Sequence, residues 1–353
     1  MNLEQRLSLI REVGEEIITE QELVQLLEKN KKLIAYDGFE PSGRIHIAQG
    51  ILRAININKM LKAHCRFKLL IADWHAWANK KLGGELSNIQ LAGEYMQEIW
   101  KQCGMNLKRV EIVWASELVQ EKEYWEKVLR VSINSTIKRI IRTSQIMGRR
   151  EEEAMYASQI FYPCMQAADI FQLQANIAQL GMDQRKVNVL ARELAEKLGY
   201  AKPVAVHHHM LLGLTFQATQ ATGIERKIEL KMSKSNPDSA IFMTDSVEEI
   251  ERKILKAYCP EKQVQENPVL EYCRFLVFEK TKKMKIEREK KFGGDVTYAN
   301  FPELEKDFSL GLLHPMDLKQ ATAFYINKMI EPVRKHFQKN RKARELHERT
   351  NKL

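Results

Sequence analysis

Apolar and polar residues follow two alternating patterns along the first two thirds of the chain. Apolar runs of strand length occur at 31–36 (KKLIAY), 66–73 (RFKLLIAD), 110–116 (VEIVWAS) and 202–208 (KPVAVHH). Helical spacing of apolar positions follows the first three, as in HIAQGILRAININKMLKAH after the first run. Strands that alternate with amphipathic helices indicate a parallel α/β sheet, in which ligands bind beyond the carboxyl ends of the strands.

After about residue 244 the helical spacing predominates. The segment 246–259 (SVEEIERKILKAYC) begins with a serine N-cap and early acidic residues, which predicts a helix. Segments 268–280 and 316–337 also have helical patterns. We therefore predict an α/β domain over residues 1–238 and a mainly helical domain over 239–353, whose basic end (339–353) is expected to be loosely held.

Composition limits the class of protein. The chain has 353 residues, of which 44% are hydrophobic and 29% charged, as expected for a soluble globular protein. No apolar run is long enough to span a membrane, and the N-terminus resembles an amphipathic helix more than a secretory signal. The five scattered cysteines form no CxxC pair, which favours reduced thiols and a cytoplasmic location.

The formal net charge of +10 favours a polyanionic partner, because cationic side chains gain free energy when they release counterions from a polyanion. Solubility alone is an alternative explanation of the same charge.

The loop that follows the first predicted strand is rich in glycine and has the sequence YDGFEPSGRIHIAQG (36–50). Gly38 and Gly43 allow the backbone to approach a ligand closely, and His46 falls near the start of the next helix, where backbone N–H groups can face a phosphate. The pattern is not a P-loop, because GxxxxGK[ST] is absent. An ordinary strand-to-helix turn is the alternative.

A second polar loop, ELKMSKSNPDSAIF (229–242), has two lysines three residues apart, Lys231 and Lys234. Lysines on such a segment can close over a triphosphate and neutralise the charge that develops as pyrophosphate departs. A solvated charged loop is the alternative, although the string KMSKS is more specific than two lysines alone.

Three polar residues, Tyr162, Gln166 and Asp169, recur at helical spacing (i, i+4 and i+7) and would lie on one face of a helix. An exposed polar face is the alternative. The string HHHM (207–210) raises the question of zinc, but adjacent residues of a strand point to opposite faces and no cysteine pair accompanies them. We therefore predict no metal site there.

Together these motifs resemble a class I aminoacyl-tRNA synthetase, with a histidine loop after the first strand and KMSKS downstream. The usual HIGH signature is His46-Ile47-Ala48-Gln49 here. The finer resemblance is to tyrosyl-tRNA synthetases of archaeal and eukaryotic type, and it extends over nearly the whole chain. The matching strings are AYDGFEPSGRIHIA, LLIADWHAW, IFYPCMQAADI, GMDQRKVNVLAREL, KMSKS, KAYCP, FGGDVTY and LHPMDLK.

The resemblance implies a Rossmann-like catalytic domain, with an insertion at about 116–165 for dimerisation and the acceptor stem, followed by a helical anticodon-binding domain. It implies a tyrosine site made of Tyr36, Asp73, His75, Tyr162, Gln166, Asp169 and Gln184. The implied catalytic groups are His46, Gln49, Lys231 and Lys234. The implied ATP site consists of Gly38, Phe39, Glu40, Gly43, His46, Gly181, Asp183, Met210, Leu211, Lys231, Met232, Ser233, Lys234 and Ser235.

Within that site, Tyr36 and Asp169 are expected to meet the phenolic hydroxyl of tyrosine. A buried aspartate needs a hydrogen-bond donor, and we expect the substrate hydroxyl to supply it. Phenylalanine would leave that acceptor unpaired and would be rejected. A pocket that recognises the hydroxyl needs no appended editing domain.

The resemblance also implies tRNA(Tyr) as a partner, a homodimer, and Mg²⁺ that accompanies ATP with no metal ligands from the protein. The implied tRNA-binding residues are Lys138, Arg139, Arg142, Arg185, Phe292, His314, Asp317 and Lys319. Phe292 is expected to stack on the first anticodon base and Asp317 to accept hydrogen bonds from it. From the sequence alone, Phe292 could instead pack on a helical core and Asp317 could be an ordinary N-terminal helix residue.

Three other functions remain open at this point. A tryptophanyl-tRNA synthetase has the same architecture, but it would need an indole pocket in place of the Tyr36/Asp169 pair. A catalytically silent RNA-binding relative would not need an intact KMSKS string. A small nucleotidyltransferase with a similar histidine loop would not need the second, helical domain.

Overall fold

The computed structural model describes residues 1–29, 32–144, 156–216, 219–232 and 236–353. Six strands of this part of the chain form one sheet: β1 Gly14–Ile18, β2 Leu33–Phe39, β3 Cys65–Ile71, β4 Val110–Trp114, β5 Ile177–Gly181 and β6 Val204–His208. A two-stranded sheet pairs β7 Met284–Ile286 with β8 Val296–Tyr298.

The helices of the first two thirds of the chain are α1 Leu3–Val13, α2 Glu20–Lys29, α3 Arg53–Lys62, α4 Asp73–Ala78, α5 Leu86–Gln102, α6 Ala115–Leu118, α7 Lys122–Ile133, α8 Ile137–Thr143, α9 Ala157–Gln172, α10 Arg185–Leu198 and α11 Gly223–Leu230. Those of the last third are α12 Val247–Lys256, α13 Pro268–Tyr272, α14 Phe278–Lys280, α15 Phe301–Leu310, α16 Pro315–Lys339 and α17 Arg341–Thr350. Single π-helical turns at Ala48–Leu52 and Cys273–Val277 adjoin α3 and α13.

The strands of the large sheet are ordered β1-β6-β5-β2-β3-β4. All neighbours are parallel except β1, which pairs antiparallel with β6. The parallel part is a doubly wound α/β sheet of Rossmann-like order, so the α/β prediction is confirmed. The order reverses between β2 and β5, and a crevice at the carboxyl ends of these strands is the expected ligand site.

Two strands of this sheet were missed by the sequence patterns. Strand β5 is short and has the polar Gln179 at its centre, and β1 follows α1 without a turn signal. Gln179 is fully buried, and its amide nitrogen has a partner in the ring of His208 on the neighbouring strand, 2.6 Å away. A buried strand is predicted from a continuous apolar run, and the polar Gln179 interrupts that run in β5.

Alternate residues of the strands face two separate apolar cores. On β2, Leu33 and Ala35 belong to one buried cluster and Tyr36 to the other. The first cluster continues through the C-terminal helices, where it includes Tyr272 and Ile330. The division of the chain at residues 238–239 stays a prediction.

The helices predicted for the C-terminal part are present. Helix α12 begins after the Ser246 N-cap, whose side chain forms a capping box with Glu249. The expectation that residues 339–353 are loosely held is wrong. Most of them form α17 (Arg341–Thr350), which buries Ala343 and stacks His347 on Tyr95 of α5 with ring centroids 5.4 Å apart. None of the helices in the described residues has the length and apolar composition needed to cross a bilayer.

Candidate functional site

A cavity of about 290 Å³ lies at the carboxyl ends of the parallel strands, where the strand order reverses. Its lining comes from β2 and the loop after it, from α4 after β3, from α9, and from the segments that follow β5 and β6. The predicted site residues that line it are Tyr36, Gly38, Phe39, Glu40, His46, Gln49, His75, Tyr162, Gln166, Asp169, Gly181, Asp183, Gln184, Met210, Leu211, Lys231 and Met232.

We call the part of the cavity around Tyr36, His75, Tyr162 and Asp169 the inner end. All four side chains are buried, so the helix face that presents Tyr162 and Asp169 is not an exposed polar face. The carboxylate of Asp169 has two close partners: Tyr124 Oη donates to Oδ1 at 3.0 Å, and His75 Nε2 lies 2.9 Å from Oδ2. The inner end is therefore a buried carboxylate surrounded by phenols and an imidazole.

The expectation that Asp169 depends on a ligand for its hydrogen-bond donor is wrong. Helix α7 packs against α9 and brings the hydroxyl of Tyr124 to the carboxylate, a contact that no local pattern in the sequence signals. A carboxylate has about four lone-pair sites, so Asp169 can accept a further hydrogen bond from a ligand in the cavity. The protein contacts fix the orientation of the carboxylate before any ligand binds.

Burial and charge set the protonation states at the inner end. Burial, together with the charge of Asp169, raises the pKa of Tyr36 well above its ordinary value. Burial also raises the pKa of Tyr162, with added effects from Glu40. Burial alone would lower the pKa of His75, but the adjacent Asp169 carboxylate reverses this and raises it. The phenols therefore stay neutral at pH 7 and can donate or accept hydrogen bonds.

Between the inner end and the rest of the cavity, Gln166 Nε2 donates to Gln184 Oε1 at 3.1 Å. The Oε1 atom of Gln166 is buried and has no hydrogen-bond partner among the described residues. Because a buried unpaired acceptor is unfavourable, this atom is suited to accept from a ligand's ammonium or hydroxyl group.

We call the part of the cavity around His46, Gln49 and Lys231 the outer end. Lys231 Nζ contacts Asp183 Oδ2 at 2.7 Å. Burial opposes ionisation of Asp183, but the charge of Lys231 outweighs it and lowers the pKa of that carboxyl. The structure thus brings the histidine loop and the first lysine of KMSKS to one cavity. The predicted residues Ser233, Lys234 and Ser235 lie outside the described residues.

A group of titratable side chains that also lines the cavity, Asp37, Arg53 and His208, was not predicted from the sequence. Arg53 Nη1 lies 3.2 Å from Asp37 Oδ2 and also contacts the ring of His208. Burial raises the pKa of Asp37 to about 6 although Arg53 opposes the shift, and burial with Arg53 lowers that of His208 well below its ordinary value. Arg53 lies seven residues after His46, and residues at this spacing share one face of a helix. This spacing was a signal from which Arg53 could have been predicted to face the same side as His46.

The three adjacent histidines of β6 and its end have different partners. His207 contacts Glu16 and Asn188, whereas His208 contacts Arg53. His209 lies between two carboxylates described below. Each ring is thus used in a separate polar contact of the protein.

Of the described residues that were predicted for the tyrosine and ATP sites, two do not line the cavity. Asp73 was expected to border the tyrosine site, but its carboxylate accepts from the Ser116 backbone N–H at 2.9 Å and from Gln90 Nε2 at 3.2 Å. These bonds turn the side chain toward α5 and α6 and away from the cavity. Gly43, expected to contact ATP, has a φ of +88°, which favours glycine in the turn before His46.

The four predicted tRNA-binding residues in the first two thirds of the chain do not line the cavity. Lys138 and Arg142 are exposed on α8, and Arg139 beside them forms an ion pair with Glu193 at 2.7 Å. Arg185 at the start of α10 pairs with Glu16 at 2.8 Å. Residues 145–150 of the same basic run lie outside the described part of the chain.

The other four predicted tRNA-binding residues lie on the C-terminal part. The Phe292 ring is 59% exposed, so it does not pack on a helical core. His314 is the N-cap of α16 and Asp317 lies in the first turn. Lys319 donates to the Leu255 carbonyl.

The Arg288 side chain connects the Phe292 loop to the segment before α16. It donates to the carbonyls of Gly294 and Leu312, both at 3.0 Å. The exposed ring and the start of the helix are therefore parts of one surface.

Comparisons with known proteins agree with this geometry. The family model for tRNA synthetases class I (W and Y) matches residues 28–331. "Tyrosine--tRNA ligase 1, cytoplasmic" of Arabidopsis thaliana is 48% identical over 347 residues, which cover 98% of this chain and 87% of that protein. A tyrosine--tRNA ligase of Saccharolobus islandicus is 43% identical over 358 residues, with 100% and 99% covered. The crystal structure of tyrosyl-tRNA synthetase from Pyrococcus horikoshii complexed with L-tyrosine has a TM-score of 0.92 at 42% identity, covering 99% of this chain and all of that one.

Proposed function

The chain belongs to the class I tRNA synthetases of the tryptophan and tyrosine group, and from this premise we propose that it is a tyrosine–tRNA ligase of archaeal and eukaryotic type. It activates L-tyrosine with ATP to tyrosyl-adenylate and pyrophosphate. It then transfers the tyrosyl group to the 3′ end of tRNA(Tyr). We propose that it acts in the cytoplasm.

The observation that supports this function most strongly is that one cavity joins Tyr36 and Asp169 at its inner end to His46 and Lys231 at its outer end. The inner end offers an oriented carboxylate and a neutral phenol to the hydroxyl of tyrosine. Tryptophan has no such hydroxyl, and the relatives cited above are tyrosine enzymes. The tryptophanyl alternative is therefore not favoured.

We assign the binding of the ammonium group of tyrosine to Tyr162 at the inner end and to Gln166 and Gln184 beside it. The unpaired Oε1 of Gln166 is suited to accept one of its protons. We assign to ATP the residues of the outer end and the loops beside it: Gly38, Phe39, Glu40, Gly181, Asp183, Met210, Leu211 and Met232.

In the first step, the tyrosine carboxylate attacks the α-phosphorus of ATP and pyrophosphate leaves. The carboxylate is already ionised at pH 7, so no general base is needed. His46, Gln49 and Lys231 position the phosphates and offset the charge that develops on pyrophosphate, and we extend this role to Lys234. In the second step, the tRNA 3′ hydroxyl attacks the tyrosyl carbonyl and AMP leaves.

Mg²⁺ is proposed to bind with ATP. The carboxylates at the outer end and beside it are close to basic side chains, as in Asp37 with Arg53 (3.2 Å) and Asp183 with Lys231 (2.7 Å). The described residues contain no cluster of side chains that could hold the ion. An ion held by phosphate oxygens and water fits this arrangement, and its charge would neutralise part of the triphosphate.

The tRNA and a second copy of the chain are the proposed macromolecular partners. The exposed basic residues of α8 suit the acceptor stem, and exposed Phe292 beside the start of α16 suits an unstacked anticodon base. Leu129, Ile133 and Ile137 on α7 and α8 are between 53% and 79% exposed. Such a group of apolar side chains is typical of a subunit interface and supports a homodimer.

Tyrosine-dependent exchange of labelled pyrophosphate into ATP tests the proposed function. Robust exchange with tyrosine and little with tryptophan or phenylalanine is expected, followed by charging of tRNA(Tyr). Exchange that depended on tryptophan would support the tryptophanyl alternative. A protein that bound tRNA but exchanged no pyrophosphate would be the silent RNA-binding relative.

A further inference from the structure

A buried carboxylate outside the cavity, Asp245, is shared by basic side chains from two parts of the chain. Arg44 Nη2, from the histidine loop, lies 2.7 Å from Oδ1, and Lys253 Nζ, from α12, lies 2.7 Å from Oδ2. Asp245 is fully buried and Lys253 nearly so. Because an unpaired buried charge is strongly unfavourable, these groups constrain one another's positions.

The segment before Asp245 is hydrogen-bonded to the backbone on both sides of His46. The N–H of Ile47 donates to the Ile241 carbonyl and the N–H of Met243 donates to the Ile45 carbonyl, both at 2.8 Å, so that His46 lies opposite Phe242 in an antiparallel bridge. The segment that holds His46 is therefore a backbone ladder rather than a solvated loop.

Asp245 fixes this ladder at two points. Its Oδ2 atom accepts from the N–H of Phe242 at 2.9 Å, which locks the turn at the end of the ladder. Its other oxygen holds Arg44, whose guanidinium lies over the Phe242 ring, 4.1 Å from the centroid. The positions of both segments of the ladder, 45–47 and 241–243, thus depend on the Asp245 side chain.

A third element reaches the same residue. Arg334 of the long helix α16 donates to the Asp245 carbonyl at 3.2 Å and to Asn327 Oδ1 at 3.2 Å. The histidine loop, α12 and α16 therefore meet at Asp245. Neither Asp245 nor Arg44 lines the cavity.

We propose that Asp245 is a positioning residue for the outer end of the cavity, and that it acts through Arg44 and the Phe242 backbone to hold His46 in place over the phosphates of ATP. This inference rests on the proposed function and deepens it. The proposal predicts an effect on the outer end of the cavity alone, because Asp245 has no contact with Tyr36, Tyr162 or Asp169 at the inner end.

The substitution Arg44→Met tests the link with little risk to folding. The Arg44 side chain is 38% exposed, and Asp245 keeps its pair with Lys253 when Arg44 is lost. We expect kcat/KM for ATP in pyrophosphate exchange to fall by about 10- to 100-fold, the range expected when a phosphate-binding group shifts by about 1 Å. The Kd for tyrosine, measured by titration without ATP, should change by less than about twofold, because only the outer end is displaced. Arg44→Lys should recover part of the lost kcat/KM, because a lysine can restore the ion pair that positions His46.

A matched control is Arg341→Met, which removes an arginine ion pair of the same 2.7 Å length with Glu345, far along the chain in α17. It should leave exchange unchanged. The double substitution Asp245→Asn with Lys253→Met removes the carboxylate without leaving Lys253 as an unpaired buried charge. It should reproduce the loss seen with Arg44→Met.

The inference is overturned if Arg44→Met exchanges pyrophosphate with unchanged kcat and KM for ATP, or if tyrosine binding weakens by the same factor as ATP use. Calorimetric titration with a non-hydrolysable ATP analogue gives a readout that does not need turnover. If the unmutated chain binds the analogue but exchanges no pyrophosphate, the proposed function is wrong, and the affinity of Arg44→Met for the analogue still decides whether Asp245 positions this site.

Discussion

The two ends of the cavity are held in place in different ways. At the inner end, Asp169 and its partners Tyr124 and His75 lie on helices that pack directly on one another and on the sheet. At the outer end, His46 and Lys231 lie on connecting segments. Ion pairs and short backbone bridges hold these segments, and some of them reach the C-terminal helices.

This difference corresponds to two tasks. Selecting one amino acid over another requires polar groups that are oriented before the ligand arrives, because a site that can relax also tolerates the wrong ligand. Transferring a nucleotidyl group requires positively charged side chains that stay close to the phosphates as pyrophosphate leaves. Segments that connect helices and strands can move and so keep these side chains in contact. Substitutions at the inner end should therefore change which amino acid is used, whereas substitutions at the outer end should change the rate.

The largest effect is expected from Lys231→Met at the outer end. The substitution removes the positive charge that lies 2.7 Å from Asp183 in the cavity. We expect kcat for tyrosine-dependent pyrophosphate exchange to fall by about 10²- to 10³-fold, as for loss of a group that stabilises transition-state charge. Tyrosine affinity without ATP should stay within about threefold, because Lys231 is at the other end of the cavity.

Lys202→Met is the matched control, since it breaks a 2.7 Å ion pair with Glu22 on the surface. It should leave exchange unchanged. Equal loss of tyrosine binding and of rate in Lys231→Met would contradict the division of the cavity into two ends.

The second largest effect is expected from Asp169→Asn at the inner end. The amide keeps the size of the side chain but replaces one acceptor by a donor, so the hydroxyl of tyrosine loses its carboxylate partner. The ratio of kcat/KM for tyrosine to that for phenylalanine should fall by about 100-fold. Asp73→Asn is the control: it changes an equally buried aspartate that lies off the cavity, and the ratio should not change. An unchanged ratio in Asp169→Asn would show that this carboxylate does not select tyrosine.

The sequence permitted much of this site to be predicted, for a physical reason. Loops at the carboxyl ends of parallel strands converge on one edge of the sheet, so His46 could be assigned to a ligand site from its position after a predicted strand. Gln184 and Leu211 were assigned only through the family resemblance, because β5, the strand that precedes Gln184, was not predicted. Helical spacing was enough to bring Tyr162 and Asp169 together.

What could not be predicted depends on contacts between elements. Tyr124 reaches Asp169 because α7 packs on α9, and Asp73 turns away because Ser116 and Gln90 offer it donors. Neither the packing nor the donors can be read from the strings in which these residues lie. The same holds for α17, whose basic composition suggested a loose tail although one face of it packs on α5.

Tyr124→Phe should have a smaller effect than Asp169→Asn. It removes only the hydroxyl that donates to Asp169 at 3.0 Å, and the ring continues to fill its space. Loss of one hydrogen bond to a charged group corresponds to about 1.5 kcal/mol, so we expect the KM for tyrosine to rise about tenfold with kcat nearly unchanged.

Tyr272→Phe is the control for this substitution. Tyr272 is fully buried in the C-terminal part, and its hydroxyl has no hydrogen-bond partner among the described residues. If both substitutions raised the KM equally, the contact between Tyr124 and Asp169 would not orient the carboxylate.

The smallest effect on the use of tyrosine is expected at His209, which follows β6 and lines the cavity beside the outer end. Its ring lies between Glu15 and Glu271, 3.1 Å from each. Burial lowers the pKa of His209, but hydrogen bonds to these two carboxylates outweigh it and raise the pKa from 6.5 to about 9. Because the pKa is higher in the folded state, this pair of contacts stabilises the fold fully below pH 6.5 and progressively less as the pH rises through 9.

We therefore expect the free energy of unfolding to decrease between pH 6.5 and 9.5, and His209→Gln to remove on the order of 1–3 kcal/mol of that decrease. Urea unfolding at a series of pH values measures it. His64→Asn, at an exposed histidine, should leave the pH profile unchanged. Tyrosine affinity in His209→Gln should match that of the unmutated chain across this range, because the inner end has no contact with these carboxylates. If the free energy of unfolding had the same pH dependence with and without His209, the charged form of His209 would not stabilise this part of the cavity.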